Sequence, residues 1–162
     1  MRIALCSDEP YPVHDVVRAW LKDHGHAVQP FGAVASGVAE SWVKAAEAAA
    51  RGVARGDCDQ GVFFCWSGTG ICMAANKVVG IRAALCCDSA QAVAARVWNH
   101  ANVLCLSNRA LSNDMAKEIL HAWFETKPGT KGLREVERLR VLEARSLPDR
   151  SLEPKSSDGS GG

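Results

Sequence analysis

The sequence predicts a doubly wound α/β fold, in which a five-stranded parallel sheet is covered by helices on both faces. Short runs rich in Val, Ile, Leu and Phe alternate with longer segments whose apolar residues recur at helical spacing. Turn-forming Gly, Pro, Ser and Asp separate the two kinds of segment. Strands that alternate with helices in this way join by right-handed crossovers into a parallel, Rossmann-like sheet.

Most of the predicted strands are nearly continuous in apolar residues, as strands buried on both faces are. The strands are predicted at residues 2–7, 26–31, 60–65, 81–87 and 102–106. The helices are predicted at residues 13–24, 40–55, 71–77, 91–98 and 113–124, with a charged C-terminal helix at 133–145. Ser89 is expected to cap the fourth helix, and residues 32–38 are expected to form a loop.

One domain over residues 1–145 accommodates all these elements, and the Ser-, Pro- and Gly-rich segment 146–162 is predicted to be a disordered tail. The chain has 162 residues, 48% of them hydrophobic, and a net charge of +1. A near-zero charge disfavours nucleic acid and membrane surfaces as partners, because both are bound through a basic field. No apolar run is long enough to cross a bilayer and no signal-peptide core follows the first residues, so a cytoplasmic protein is expected.

Seven cysteines occur at irregular spacing, with no CxxC pair and no Cys/His group at zinc-like spacing. No metal site is therefore predicted, and six of the thiols are expected to be reduced, buried and inert. Cys65 is different, because it ends a strand directly before a glycine-rich turn. The histidines at positions 14, 24, 26 and 121 are expected to be ordinary surface or packing residues.

Polar, turn-prone segments follow four of the predicted strands, at residues 7–9, 65–70, 88–89 and 107–109. The carboxyl ends of parallel strands meet at one edge of the sheet, where ligands of doubly wound folds bind. The strongest signal among them is the run from Cys65 to Ile71, in which a strand enters a Ser-Gly-Thr-Gly turn and opens a helix. Such a turn directs backbone N–H groups at one point and forms an anion site, or else it is a tight turn that binds nothing.

This turn lacks the Lys-Ser/Thr ending of a Walker motif, and it is not a complete GxGxxG dinucleotide-binding motif. Both absences disfavour a nucleotide-binding, flavodoxin-like domain. Instead, the segment 65–77 (CWSGTGICMAANK), followed by Gly-Ile-Arg-Ala at 80–83, resembles the signature of the ribose-5-phosphate isomerase B and galactose-6-phosphate isomerase family. Further matches, which extend the resemblance over residues 1 to about 145, are Asp8, 96–99, 102–104, Arg109 and 116–117.

The resemblance implies an aldose–ketose isomerase that acts on a small sugar phosphate through a cis-enediol, without metal or cofactor. It also implies a homodimer in which two subunits share each active site, or a tetramer. Cys65 matches the base that moves a proton between C1 and C2, and a helix N-terminus is expected to lower the pKa of such a thiol. Ser67 matches the hydroxyl that assists at the sugar oxygen, and Asp8 and Asn99 are expected to assist.

The N–H groups of Gly68, Thr69 and Gly70 are expected to hold the developing enediolate. Arg134 and Arg138 match the family's phosphate-binding arginines and lie four residues apart, so they share a helix face. Arg109 is a third candidate for the phosphate. The alternative for Arg138 is an ordinary surface pair with Glu135.

Two family histidines are missing, because Glu9 and Trp98 occupy their positions, and Ser41-Trp42-Val43 replaces the usual Asp-Tyr-Pro. Loss of a general acid costs about 10²–10⁴ in rate, so ring opening of a furanose phosphate is expected to be poor. Two explanations stay open, an open-chain substrate such as a tetrose phosphate, or a site lined by Trp98, Trp66 and Trp42 for a less polar one. The rival hypothesis is a non-catalytic relative that binds a phosphorylated metabolite.

Overall fold

Five parallel strands form one sheet in the order β2-β1-β3-β5-β4 in the computed structural model, which describes residues 1–146. The strands are β1 (Arg2–Ser7), β2 (Ala27–Gly32), β3 (Gln60–Cys65), β4 (Ala83–Leu85) and β5 (Val103–Ser107). The predicted five-stranded parallel sheet is confirmed. Most of the tail predicted as disordered, residues 147–162, lies outside the described residues.

Helices connect the strands and follow the last one. They are α1 (Val13–Asp23), α2 (Ala33–Ser36), α3 (Trp42–Ala54), α4 (Thr69–Ala75), α5 (Ser89–Asn99), α6 (Asn113–Glu125) and α7 (Leu133–Ser146). In the part of the chain that the structure describes, none of these helices has the length and apolar character needed to span a membrane.

Alternation along the strands divides the core into two layers, one on each face of the sheet. Ile3 and Leu5 of β1 pack with α1, α5 and α6, whereas Ala4 and Cys6 pack with α3 and α4. Because β1 leads into α1 on one face and its neighbour β3 leads into α4 on the other, a crevice opens between the ends of these two strands. This is the position at which doubly wound sheets bind ligands.

Side chains that bind backbone groups explain two of the differences from the predicted elements. The predicted strand 81–87 is only Ala83–Leu85, because the Asn102 and Asn76 side chains accept hydrogen bonds from the N–H groups of Arg82 and Ala83, each at 2.8 Å. The predicted cap at Ser89 is wrong, since Asp88 Oδ1 accepts the N–H of Gln91 at 2.7 Å. The predicted loop 32–38 contains the single turn of α2, and α7 continues through Ser146.

Candidate active site

The ends of β1 and β3 bring Asp8 and Cys65 together at the carboxyl edge of the sheet. Ser7 of β1 is paired with Phe64 of β3, so the residues that follow them, Asp8 and Cys65, leave adjacent strands at the same level. Both side chains are nearly buried, with Asp8 8% and Cys65 5% exposed. The structure therefore places the predicted base beside the predicted assisting carboxylate.

The glycine-rich turn leaves β3 at Cys65 and enters α4 at Thr69. Gly68 has φ +78°, and its N–H donates to the Cys65 carbonyl at 3.2 Å, which closes the turn. The hydroxyls of Ser67 and Thr69 are hydrogen-bonded at 2.6 Å, and the Thr69 N–H donates to Ser67 Oγ at 3.4 Å. The turn presents these hydroxyls at the exposed start of α4, which begins at Thr69 rather than at the predicted Ile71.

Glycine is required at Gly68 for space as well as for its dihedral angle. A Cβ there would lie 2.5 Å from Leu85 Cδ1 and 3.0 Å from the carbonyl of Leu106. At Gly70 a Cβ would lie 3.2 Å from the indole of Trp42, so this ring covers the first turn of α4. Trp42, which stands where the family has tyrosine, is thus one wall of the site.

Asp8 has an acceptor that the protein leaves free. Its Oδ1 is buried and receives no hydrogen bond from any residue in 1–146. Burial raises the pKa of Asp8 and the charge of neighbouring Glu9 adds to this increase, whereas hydrogen bonds from the backbone N–H groups of Asp8 and Glu9 oppose it. A buried carboxyl oxygen without a partner is costly, and a bound hydroxyl group would satisfy it.

Glu9 follows Asp8 directly and is exposed. The Tyr11 hydroxyl donates to Glu9 Oε2 at 3.3 Å. The carboxylate therefore lies at the rim of the crevice, where it adds negative charge at the position of a family histidine.

Arg109 is held at the same edge by a stacked indole. The guanidinium carbon of Arg109 lies 4.9 Å from the ring centroid of Trp66. The backbone N–H of Arg109 donates to the Trp66 carbonyl at 3.2 Å. Ser107 Oγ donates to the same carbonyl at 2.8 Å. Trp66 thus holds in place the cation that is predicted to bind a phosphate.

Four predicted site residues lie away from Cys65, towards the opposite edge of the sheet. A helix that follows a parallel strand runs back across the sheet, so Trp98 and Asn99 at the end of α5 lie near the amino ends of the strands. Gly132 packs directly against the Trp98 backbone, and the Lys131 ammonium lies 5.6 Å from the centre of the Trp98 ring.

Helix α7 starts beside Trp98 and carries both predicted phosphate arginines. Arg134 is exposed, and Arg138 donates to Glu135 Oε1 at 2.6 Å with about three-fifths of each side chain exposed. An exposed pair of this kind contributes about 0.3–0.5 kcal/mol, so it does not prevent Arg138 from binding an anion. One chain does not bring these arginines to its own glycine-rich turn.

Cys72 is a residue that the sequence analysis counted among the inert thiols. A hydrogen bond from the Cys105 thiol lowers the pKa of Cys72 to about 7, against the opposing effect of burial, and Asn76 Nδ2 lies 3.7 Å from its sulfur. The Ala83 carbonyl, 3.4 Å away, acts in the other direction because it accepts only from the neutral thiol. Asn76, one helical turn after Cys72, was the signal in the sequence that this thiol has a polar neighbour.

The signature residues Asn76 and Asn102 have architectural roles. Asn76 holds the N–H and the carbonyl of Ala83, and Asn102 Nδ2 donates to the Gly80 carbonyl at 2.9 Å. Together they fix the segment between α4 and β4. Within residues 1–146, no group of three His, Cys, Asp or Glu side chains is arranged to hold a metal ion.

Comparisons with known proteins agree with this architecture. A sequence model of the ribose/galactose isomerase family matches residues 3–142. D-erythrulose-4-phosphate isomerase of Pectobacterium atrosepticum is 38% identical over 95 residues, which are 58% of this chain and 62% of that protein. Ribose-5-phosphate isomerase B of Escherichia coli is 37% identical over 94 residues, 57% of this chain and 63% of that protein. The matched segment thus spans somewhat under two thirds of these curated relatives.

Solved structures match over more of the chain. Ribose-5-phosphate isomerase B of Clostridium thermocellum superposes with a TM-score of 0.84 at 32% identity, covering 91% of this chain and all of that one. The enzyme of Mycoplasma genitalium, solved with bound ribulose-5-phosphate, gives a TM-score of 0.82 at 28% identity over 90% of this chain and 97% of that one. By its sequence and by its fold, this chain belongs to the ribose/galactose isomerase family.

Proposed function

We propose that this protein is an aldose–ketose isomerase for a small sugar phosphate and that Cys65 is its base. The observation that carries the proposal is the pairing of Cys65 with Asp8 at the carboxyl edge of the sheet, beside the glycine-rich turn. The membership of the chain in an isomerase family supports it.

In the proposed reaction, the Cys65 thiolate removes the proton from the carbon next to the substrate carbonyl. The electron pair forms a cis-enediolate, whose oxygen is stabilised by the N–H of Gly70. The N–H groups of Gly68 and Thr69, which the sequence also predicts as donors, are already bonded to the Cys65 carbonyl and to Ser67 Oγ. Cys65 then returns the proton to the neighbouring carbon, while Ser67 moves a proton between the two substrate oxygens. The free Oδ1 of Asp8 accepts a substrate hydroxyl. No proton or electron is gained or lost overall, and the proposal includes no metal or cofactor.

Open-chain substrates, tetrose phosphates in particular, suit this site best. Trp98 stacks with Lys131 and offers no group that could protonate a ring oxygen, and Glu9 has replaced the other family histidine. A similar protein in Pectobacterium atrosepticum is named for D-erythrulose-4-phosphate, a four-carbon ketose phosphate. Such substrates need no ring opening, so the absent histidine would not limit them.

We further propose that the protein acts as a cytoplasmic homodimer in which each site uses two subunits. Trp98, Asn99, Arg134 and Arg138 cannot reach Cys65 of their own chain, because α5 and α7 place them towards the other edge of the sheet. In a two-fold dimer each subunit offers the same surface, so both sites gain the same residues.

The decisive experiment follows deuterium exchange by NMR. Erythrulose 4-phosphate, ribulose 5-phosphate and their aldose isomers are incubated with the protein in deuterated water. Deuterium at the carbon next to the carbonyl, present in wild type and in the exposed Cys87→Ser control but absent in Cys65→Ala, supports the isomerase. Exchange that persists in Cys65→Ala would refute Cys65 as the base.

A phosphometabolite-binding protein without catalysis is the second candidate, favoured by Glu9 and Trp98 at the histidine positions. It predicts that the same compounds raise the melting temperature without any deuterium exchange.

Shared sites are tested by mixing two inactive variants, Cys65→Ala and Arg138→Ala, after brief denaturation and refolding together. If subunits share sites, each mixed dimer has one doubly mutated site and one intact site. Random pairing then restores about a quarter of the wild-type activity. No restoration would show that each site lies within one chain.

A further inference from the structure

A chain of buried and partly buried hydrogen bonds links the segment between β1 and α1 to the loop after β5, and the sequence predicted none of these bonds. It begins at the Tyr11 N–H, which donates to His14 Nδ1 at 3.3 Å. His14 Nε2 and Asn108 Oδ1 are 2.7 Å apart, and Asn108 Nδ2 donates to Ser7 Oγ at 3.2 Å. The Ser7 hydroxyl donates to the Glu9 carbonyl at 2.8 Å.

The backbone N–H at the start of the chain fixes the direction of every later bond. A backbone N–H can only donate, so His14 Nδ1 must be the acceptor and the neutral ring carries its proton on Nε2. That proton goes to Asn108 Oδ1, which leaves the Asn108 amide to donate to Ser7. A protonated ring would direct a second N–H at the Tyr11 N–H and break the first bond.

Asn108 joins this chain to the proposed base. The backbone N–H of Asn108 donates to the Cys65 carbonyl at 2.9 Å. The Asn108 side chain binds Ser7 at the end of β1 and His14 in α1. The side chains of Ser7, His14 and Asn108 are buried, with exposed fractions of 0%, 4% and 6%. Buried, fully paired polar groups hold one arrangement, because any other leaves a polar atom without a partner.

We propose that His14 and Asn108 are positioning residues that hold Asp8 and Cys65 in the relative positions needed for catalysis, and that His14 can do so only in its neutral form. The inference rests on the proposed function for its catalytic part. Neither residue touches the reacting atoms, and both act through the loops that carry Asp8 and Cys65.

The surroundings of His14 favour its neutral form. Burial lowers the pKa of His14, and the charge of Arg18 on the same helix acts in the same direction, whereas Asp15 and the bond to Asn108 oppose it. Phe64, whose ring centre is 4.9 Å from that of His14, adds no charge from β3. The titratable groups that face His14 from the loop after β1 are Asp8, Glu9 and Tyr11. The Tyr11 hydroxyl donates to the Glu9 carboxylate.

The sign of the pH effect follows. The unfolded chain binds a proton at His14 more tightly than the folded protein, so stability is complete above about pH 6.5 and falls as the pH decreases below it.

The experiment compares His14→Leu with His14→Gln. Glutamine supplies an acceptor for Tyr11 and a donor for Asn108 without a titratable group, whereas leucine supplies neither. We expect kcat for the exchange reaction to fall 10- to 100-fold in His14→Leu, with KM changed less than threefold, and to return within threefold of wild type in His14→Gln. Exposed His121→Gln is the control. Ser7→Ala removes the bonds of Ser7 to Asn108 and to the Glu9 backbone but leaves His14 paired with Asn108, so it should give a smaller loss of kcat.

Two readouts do not depend on turnover. Between pH 6.5 and 4.5 the urea midpoint should fall more in wild type than in His14→Gln. The rate at which iodoacetamide alkylates Cys65, resolved by peptide mass spectrometry, should change at least threefold in His14→Leu and return in His14→Gln, with Cys87 unaffected in both. If wild type isomerises nothing, the proposed function fails while these readouts still judge the positioning. A His14→Gln variant as impaired as His14→Leu, or two variants both like wild type, would overturn the inference.

Discussion

Replacing Gly68 by alanine tests whether the turn after β3 is built on a position that only glycine can occupy. An L-residue at φ +78° costs roughly 1–2 kcal/mol in backbone strain. The added Cβ would also overlap Leu85 Cδ1 at 2.5 Å and the Leu106 carbonyl at 3.0 Å, and overpacking of this kind costs typically about 1–3 kcal/mol. The two effects together predict a loss of about 2–5 kcal/mol from the free energy of unfolding.

Gly56 provides a matched control, because its φ is +79° and nothing lies within 4 Å of an added Cβ. Gly56→Ala therefore measures the backbone strain alone, and urea denaturation of both variants isolates the overlap as their difference. The overlap also displaces Ser67 and the first N–H groups of α4, so kcat/KM should fall about 100-fold in Gly68→Ala only. Equal urea midpoints for the two variants would refute the argument that the turn is tightly enclosed.

Three further changes probe contacts at and beyond the site. Trp66→Leu removes the stack on Arg109, worth about 0.5–1 kcal/mol, so KM for a sugar phosphate should rise about two- to fivefold in steady-state kinetics with kcat nearly constant. Trp123→Phe removes the donor to Gln60 Oε1 at 2.7 Å and should cost about 1–2 kcal/mol in urea denaturation, while an unchanged midpoint would contradict a role for this bond. Alkylation of Cys72 by iodoacetamide, followed against pH by mass spectrometry, should have its midpoint near pH 7, and a midpoint above pH 8 would contradict the bond from Cys105.

Apolar periodicity was sufficient to predict the central elements, because burial determines them. Strands β1 and β3 begin and end at the predicted residues, since both are enclosed on two faces and their apolar runs are unbroken. The prediction failed at β4, where the side chains of Asn76 and Asn102 bind the backbone of Arg82 and Ala83. Such bonds depend on residues distant in sequence, and periodicity carries no information about them.

The site was predictable to the extent that it follows from topology. Cys65 and Asp8 end adjacent strands, so the carboxyl-edge rule and the pairing of β1 with β3 bring them together. His14 was missed because a single histidine on a helix has no spacing that indicates its partner. Its partner Asn108 lies in the loop after β5. The two residues meet because β1 and β5 are both neighbours of β3 in the sheet, and the sequence alone does not give this strand order.

The same topology explains why the predicted site divides into two groups of residues. Every parallel strand ends at one edge and every following helix returns to the other, so the end of α5 is as far from Cys65 as the sheet allows. Helix α7 starts beside Trp98 in the last turn of α5, and Arg134 and Arg138 therefore lie nearer to Asn99 than to the glycine-rich turn. The family signature includes residues of both groups. These residues can act on one substrate only if the carboxyl edge of one sheet lies next to the amino edge of another. The proposed homodimer would do this with one two-fold axis, and it would give each Cys65 the arginines that its own chain does not bring to it.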